Sequence, residues 1–197
     1  MKTKLTKQTV ISLIGAIIYS FSVLKNLTAL GSGDIFSIFR LVSCILFAVS
    51  FYLIFYILHT GGKFKAHIPT IFSLASAAEI CSLVTLSNSF ANAKLAFFVK
   101  VAVVIISLLI LLASVLKKYD LALKLLFAKI VAGSALYIII FYHNDSNTEP
   151  YLHLILTLLF IVTSASLVVG QILEALPFIY LIKNEKAEQE NDIVDLE

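Results

Sequence analysis

The sequence is short of residues that interrupt helices. Seven glycines and three prolines in 197 residues leave little material for the broken, half-unwound helices from which many secondary transporters build their sites, so mostly continuous helices are expected. Tryptophan is absent, and Arg40 is the single arginine. The two cysteines, Cys44 and Cys81, lie inside apolar runs. They have neither the paired spacing of a zinc site nor the loop positions of a disulfide framework, and both are read as packing residues. Charge is scarce as well. Charged residues make up 14% of the chain, against about a quarter in soluble domains. The net charge is only +3, with the lysines scattered through short loops rather than gathered on one basic face, so no nucleic-acid partner is expected.

What is abundant is apolar: 60% of residues are hydrophobic and the mean hydropathy is +0.99, which makes the lipid bilayer the expected surroundings. Six runs approach the ~20 apolar residues needed to cross a bilayer: 9–30, 35–59, 68–86, 95–116, 121–142 and 151–173. The predicted fold is an all-α membrane protein, a bundle of six transmembrane helices in three helical hairpins. Residues 1–183 form the membrane domain and 184–197 an acidic cytoplasmic tail, solvated or serving as a docking peptide for a protein partner. The first run follows Lys2, Lys4 and Lys7 and is followed by the small residues Ala29 and Gly31, a signal-peptide pattern; it is read here as a retained span.

Lysines set the expected orientation. Lys2, Lys4, Lys7, Lys63, Lys65, Lys117 and Lys118 fall at one end of the bundle, while Lys25, Asp34, Lys94, Asp145 and Glu149 fall at the other. The positive excess predicts cytoplasmic N- and C-termini in a multi-pass protein of a cytoplasmic or plasma membrane. Asn26 and Asn144 then open sequons on the outer side. Pro177 is expected to kink or end the last helix near the inner interface, with Phe178, Ile179 and Tyr180 lying along that interface.

Ionisable residues at bilayer depth each require a partner, a route to the interface or a cavity. Glu79 lies about eleven residues into the third span, roughly 16 Å, and Lys129 enters the fifth from the same side to about 13 Å. Matching depths predict a Glu79–Lys129 pair. With Ser76 and Ser82 it forms a candidate intramembrane polar site, either holding helix register or changing its proton or ion occupancy. Arg40, Lys100 and His153, each within about two turns of the outer ends, form a candidate outer cationic cluster able to attract an anion, with Asp34 and Glu149 available to neutralise it. Gln171 and Glu174, one turn apart, are expected as an inner interfacial polar pair within reach of Lys117, Lys118 or Lys124.

No catalytic or metal motif is complete, and no cofactor is implied. The stretch HTGGKFKAHIPTIFSLASAAEIC is faintly similar to membrane endopeptidases that mature peptide pheromones, which place a His and a Cys close together after the glycines. Here His67 and Cys81 are about 20 Å apart along a helix, too far for a dyad within it. In size and span number the chain resembles the substrate-binding membrane subunits of vitamin-uptake transporters, although ISLIGAIIYSFSVL in the first span lacks their alanine-rich contact pattern. The expected function is a small-solute transporter or a membrane-embedded substrate-binding subunit. The alternative is a non-catalytic membrane partner or assembly protein of a larger membrane complex. The state of the bundle interior, polar cavity or packed centre, discriminates between them.

Overall fold

The computed structural model of the chain describes residues 6–29, 34–60, 68–89, 94–144, 168–184 and 186–187, and among them there is no strand. Among the described residues six helices follow one another: α1 (Lys7–Ala29), α2 (Ile35–Thr60), α3 (Ile68–Ser89), α4 (Lys94–Val115), α5 (Tyr119–Asn144) and α6 (168–184). The first five are long and apolar enough to cross a bilayer, so the helices are compatible with a multi-pass membrane protein. Consecutive helices pack on each other from α1 to α5. His153, the outer part of the predicted sixth span and the tail beyond 187 lie outside the described residues.

Helix ends are set locally. The Thr6 hydroxyl accepts the Thr9 N–H at 3.3 Å at the start of α1, and the Asp34 carboxylate accepts the Phe36 N–H at 3.2 Å at the start of α2. Between α4 and α5 the chain turns in three residues. Lys118 N–H donates to the Ala113 carbonyl at 2.8 Å and Lys117 N–H to the Ser114 carbonyl at 3.1 Å, with Lys117 at φ 54°. That pattern is a Schellman motif, with lysine in the left-handed position usually given to glycine.

Inside a bilayer, helix association relies on close packing and interhelical hydrogen bonds, because lipid tails are as apolar as leucine. The contact faces are correspondingly small: Ser12, Ala16, Ser50, Ala75, Ala78, Ala113 and Ala122 are all buried. Gly15 sits against the Phe51 ring, where a Cβ would come within 2.6 Å of a ring carbon. Ser43 Oγ donates across to the Ala78 carbonyl at 2.9 Å, tying α2 to α3, and Ser76 Oγ donates to the Ser107 carbonyl at 3.1 Å, tying α3 to α4. Large apolar side chains such as Phe21, Phe98, Phe127 and Val131 point outward, the arrangement expected where the surroundings are acyl chains.

The last helix departs from expectation. α6 runs through Pro177 without a break to residue 184, and Pro177, Phe178 and Ile179 are buried in the core rather than spread along an interface. Proline removes one backbone hydrogen bond, but ending a helix among apolar neighbours would expose several unpaired carbonyls, so continuation costs less. The apolar residues after it, FIYLI, supply the contacts. Phe178 packs edge-on to Phe51, centroids 5.5 Å apart, and lies 5.6 Å from Phe72. Tyr19 stacks on both Phe47 (5.0 Å) and Phe51 (5.3 Å). These rings, from α1, α2, α3 and α6, fill the half of the bundle nearer the termini. Two residues past α6, Lys186 Nζ lies 2.8 Å from Asp120 at the start of α5, on the exposed surface.

Candidate functional site

Above the aromatic layer the interior is polar. Glu79, 5% exposed, is held by two lysines rather than one: Lys129 Nζ lies 2.8 Å from Oε1 and Lys100 Nζ 2.5 Å from Oε2. Three helices thus contribute one carboxylate and two ammonium groups to a single buried centre. Lys129 also sits 6.0 Å from the Phe47 ring centroid, close enough for a cation–π contact. Lys100, read in the sequence with Arg40 and His153 as part of an outer cluster, turns inward instead. Six residues from the start of α4, its long side chain can reach either the interface or the interior, and the buried carboxylate of Glu79 decides the direction.

The serines of α3 diverge. Ser82 Oγ donates to the Glu79 backbone carbonyl at 3.0 Å, while Ser76 faces Ser107 on the other side of the charged centre. Gln171 and Glu174 do not meet Lys117, Lys118 or Lys124 at the inner interface. They line the middle of the bundle beside Glu79, because α6 extends further toward the termini than the 151–173 span implied. Gln171 Nε2 is 3.4 Å from Glu174 Oε2, and the Gln171 amide lies across Gly133 of α5, where a Cβ would collide with its oxygen. The Tyr19 hydroxyl faces Glu174. Asp34 caps α2 and makes no ion pair with Arg40. The Asn26 amide, expected at an accessible sequon, is engaged within the bundle, donating to the Ser22 carbonyl at 2.7 Å and toward Cys44 Sγ at 3.4 Å.

These groups surround a cavity of about 210 Å³. Its polar lining includes Arg40, Ser43, Glu79, Ser82, Thr85, Lys100, Tyr137, Gln171 and Glu174, with Tyr19 and Phe47 at the deep end and Cys44 on the wall. Arg40 and Thr85 each lie near the helix ends remote from the termini, so the cavity occupies that half of the bundle. A second, smaller space of about 30 Å³ lies beyond it, lined by Ser76, Ser107, Lys129 and, again, Gln171 and Glu174. Gln171 and Glu174 are therefore the shared wall.

No protein-family model, curated protein or solved structure matches the chain. The site must be read from its own chemistry. Among the described residues no group of three or more His, Cys, Asp or Glu side chains is arranged to hold a metal ion. The cavity offers fixed charges, hydroxyls and an amide to a small polar molecule, with an aromatic floor closing it toward the termini. Sequence reasoning located Glu79 and its depth but overlooked Tyr19 and Tyr137. Both occur singly within apolar runs, where each reads as ordinary packing.

Proposed function

We propose that the protein is a membrane-embedded binding protein for a small polar solute, acting as a transporter or as the substrate-binding subunit of one. The observation that carries this reading is the 210 Å³ charged cavity in the bundle interior. A bundle held together only for assembly gains nothing from leaving polar groups around an open space, since buried polar groups are costly unless paired. Convergent polar groups on a concave, partly apolar pocket are the usual form of a ligand site. In this reading the Lys100–Glu79–Lys129 centre is the frame that fixes α3, α4 and α5, and the solute contacts come from the remaining polar lining. The termini are assigned to the cytoplasm, so the cavity opens outward.

The test uses the full chain in lipid nanodiscs, in a Cys81→Ser background so that Cys44 is the reporter on the cavity wall. A membrane-impermeant, water-soluble thiol reagent is expected to modify Cys44, and a solute drawn from a panel of small acids, amines, amino acids and polyols is expected to slow that reaction and raise the thermal midpoint. Cys44 inert to the reagent, together with no stabilising solute, would sink the proposal.

A further inference from the structure

The face of α2 that carries Arg40 is the cavity face. Arg40, Ser43, Cys44 and Phe47 all line the 210 Å³ space, and their spacing of i, i+3, i+4 and i+7 places them on one stripe of the helix. The outward stripe of the same helix is Ile38, Val42, Ile45 and Val49, all exposed, and at about 100° per residue it lies on the opposite side. An arginine that only reached for lipid headgroups would belong to that second stripe. Arg40 is instead exposed at the mouth of the cavity.

The charges below it balance without its help. Lys100 and Lys129 both hold Glu79, and Glu174 belongs to the same centre: it lines the cavity with Lys100 and the smaller space with Lys129, and the Tyr19 hydroxyl faces it. Two ammonium groups therefore meet two carboxylates. Arg40 is the remainder, and among the described residues no carboxylate lies within ion-pair distance of its guanidinium. Protonation of either acid would only enlarge the positive excess. A cation entering the mouth would meet an uncompensated guanidinium first, and a zwitterion would find no free carboxylate for its ammonium. One negative charge closes the balance.

Resting on the binding reading above, we infer that the cavity takes a small monovalent oxyanion with an apolar body, in its simplest form a monocarboxylate, gripped by Arg40 at the mouth. The guanidinium fork donates to two oxygens at once, which suits a carboxylate better than a spherical halide. Leu136 and Val103 supply the apolar wall, and Leu136 packs with Ala96 in the first turn of α4, so that wall begins at the level of the mouth. Lys100 adds positive potential without becoming the contact, because its ammonium is committed to Glu79. The selection of a single charge comes from below. Phe47 lies seven positions after Arg40, about 10 Å of helical rise, and stacks on Tyr19, which faces Glu174. A second negative charge carried inward by the solute would approach that acid.

A lipid phosphodiester presents the same pair of oxygens, so the experiment separates a dissolved anion from a headgroup. Calorimetry on the chain in nanodiscs of phosphatidylcholine alone compares butyrate with butyramide, butylammonium and succinate. Butyrate is expected to bind at least tenfold more tightly than each of the other three and to slow modification of Cys44. Arg40→Gln is expected to weaken butyrate at least tenfold while leaving butyramide unchanged, and Arg40→Lys, which keeps the charge and loses the fork, to weaken it by less. The measurements are repeated in phosphatidylcholine mixed equally with phosphatidylglycerol. Unchanged butyrate affinity there supports a dissolved anion; loss of butyrate binding together with protection of Cys44 by the lipid keeps the oxyanion site and assigns it to a headgroup. Butyrate binding no more tightly than any one of the other three probes, or unaffected by Arg40→Gln, would overturn the inference. If a neutral solute then still protects Cys44, the inference alone falls; if Cys44 is inert to water-soluble reagent and no solute stabilises the chain, the binding reading falls with it.

Discussion

Replacing Glu79 with glutamine keeps the side-chain shape and removes the one negative charge between two ammonium groups. The side chains of Lys100 and Lys129 are 11% and 19% exposed, so neither has free access to water, and after the change both face a neutral amide. Breaking a buried ion pair by removing one partner costs about 3–5 kcal/mol, and here one substitution leaves two cations with Glu174 as their remaining counter-charge, so the expected loss lies toward the lower end of that range. Lys100→Met should cost much less, about 1.5 kcal/mol, since Glu79 keeps Lys129 and loses one charge-assisted hydrogen bond. The double change Glu79→Gln with Lys129→Met still leaves Lys100 unpaired and recovers only part of the loss. Adding Lys100→Met removes all three charges together and recovers most of it. Equilibrium unfolding in mixed micelles, repeated as thermal unfolding in nanodiscs, gives the ranking. A Glu79→Gln variant within about 0.5 kcal/mol of the parent, the range of an ordinary surface substitution, would refute the three-charge centre. Full recovery in the double variant would show that Lys100 is not part of it.

Gly133→Ala places a methyl group where the Gln171 amide now lies, so the amide must swing away; stability should fall by about 1 kcal/mol and solute binding should weaken, read by the same unfolding and calorimetric assays. Lys117→Gly relieves a left-handed residue in the α4–α5 turn and is expected to raise stability by about 0.5–1 kcal/mol, whereas Lys117→Ala should not. Ser43→Ala deletes the hydrogen bond to the Ala78 carbonyl between α2 and α3 and should cost about 0.6–1.7 kcal/mol in the same unfolding assay. A cysteine introduced at Lys186 should be labelled by an impermeant reagent only from the cytoplasmic face; labelling from outside would reverse the proposed orientation.

The helices were legible because membrane spans are written in one dimension, as apolar length. α2 to α5 begin within two residues of the runs read from hydropathy. Depth along a helix is legible for the same reason, and Glu79 and Lys129 could be matched by counting residues. Rotation about the helix axis and the reach of a side chain are not written in that way. Lys100 is near enough to a helix end to reach the interface, and only the carboxylate on a neighbouring helix draws it inward. Glu174 was displaced by a boundary error: Pro177 read as a stop moved the inner end of the last span about three turns too early, which put a mid-bundle acid at the surface. Tyr19 and Tyr137 carried no signal, since an isolated tyrosine in an apolar run looks the same whether its hydroxyl meets lipid headgroups or a cavity.

The shared wall formed by Gln171 and Glu174 has an electrical consequence. If the cavity opens outward as proposed, water at the depth of Glu174 brings the external potential down to that level, and the membrane voltage no longer falls across the whole thickness of the bundle. It falls across the remainder, through the wall and the packed rings of Tyr19, Phe51, Phe72 and Phe178. The field there is steeper than in the surrounding bilayer. A full charge crossing it exchanges about 2.3 kcal/mol per 100 mV. In the proposed orientation that packed layer is where voltage does its work, and in the transport reading a solute that is neutral overall would cross it without exchanging that energy.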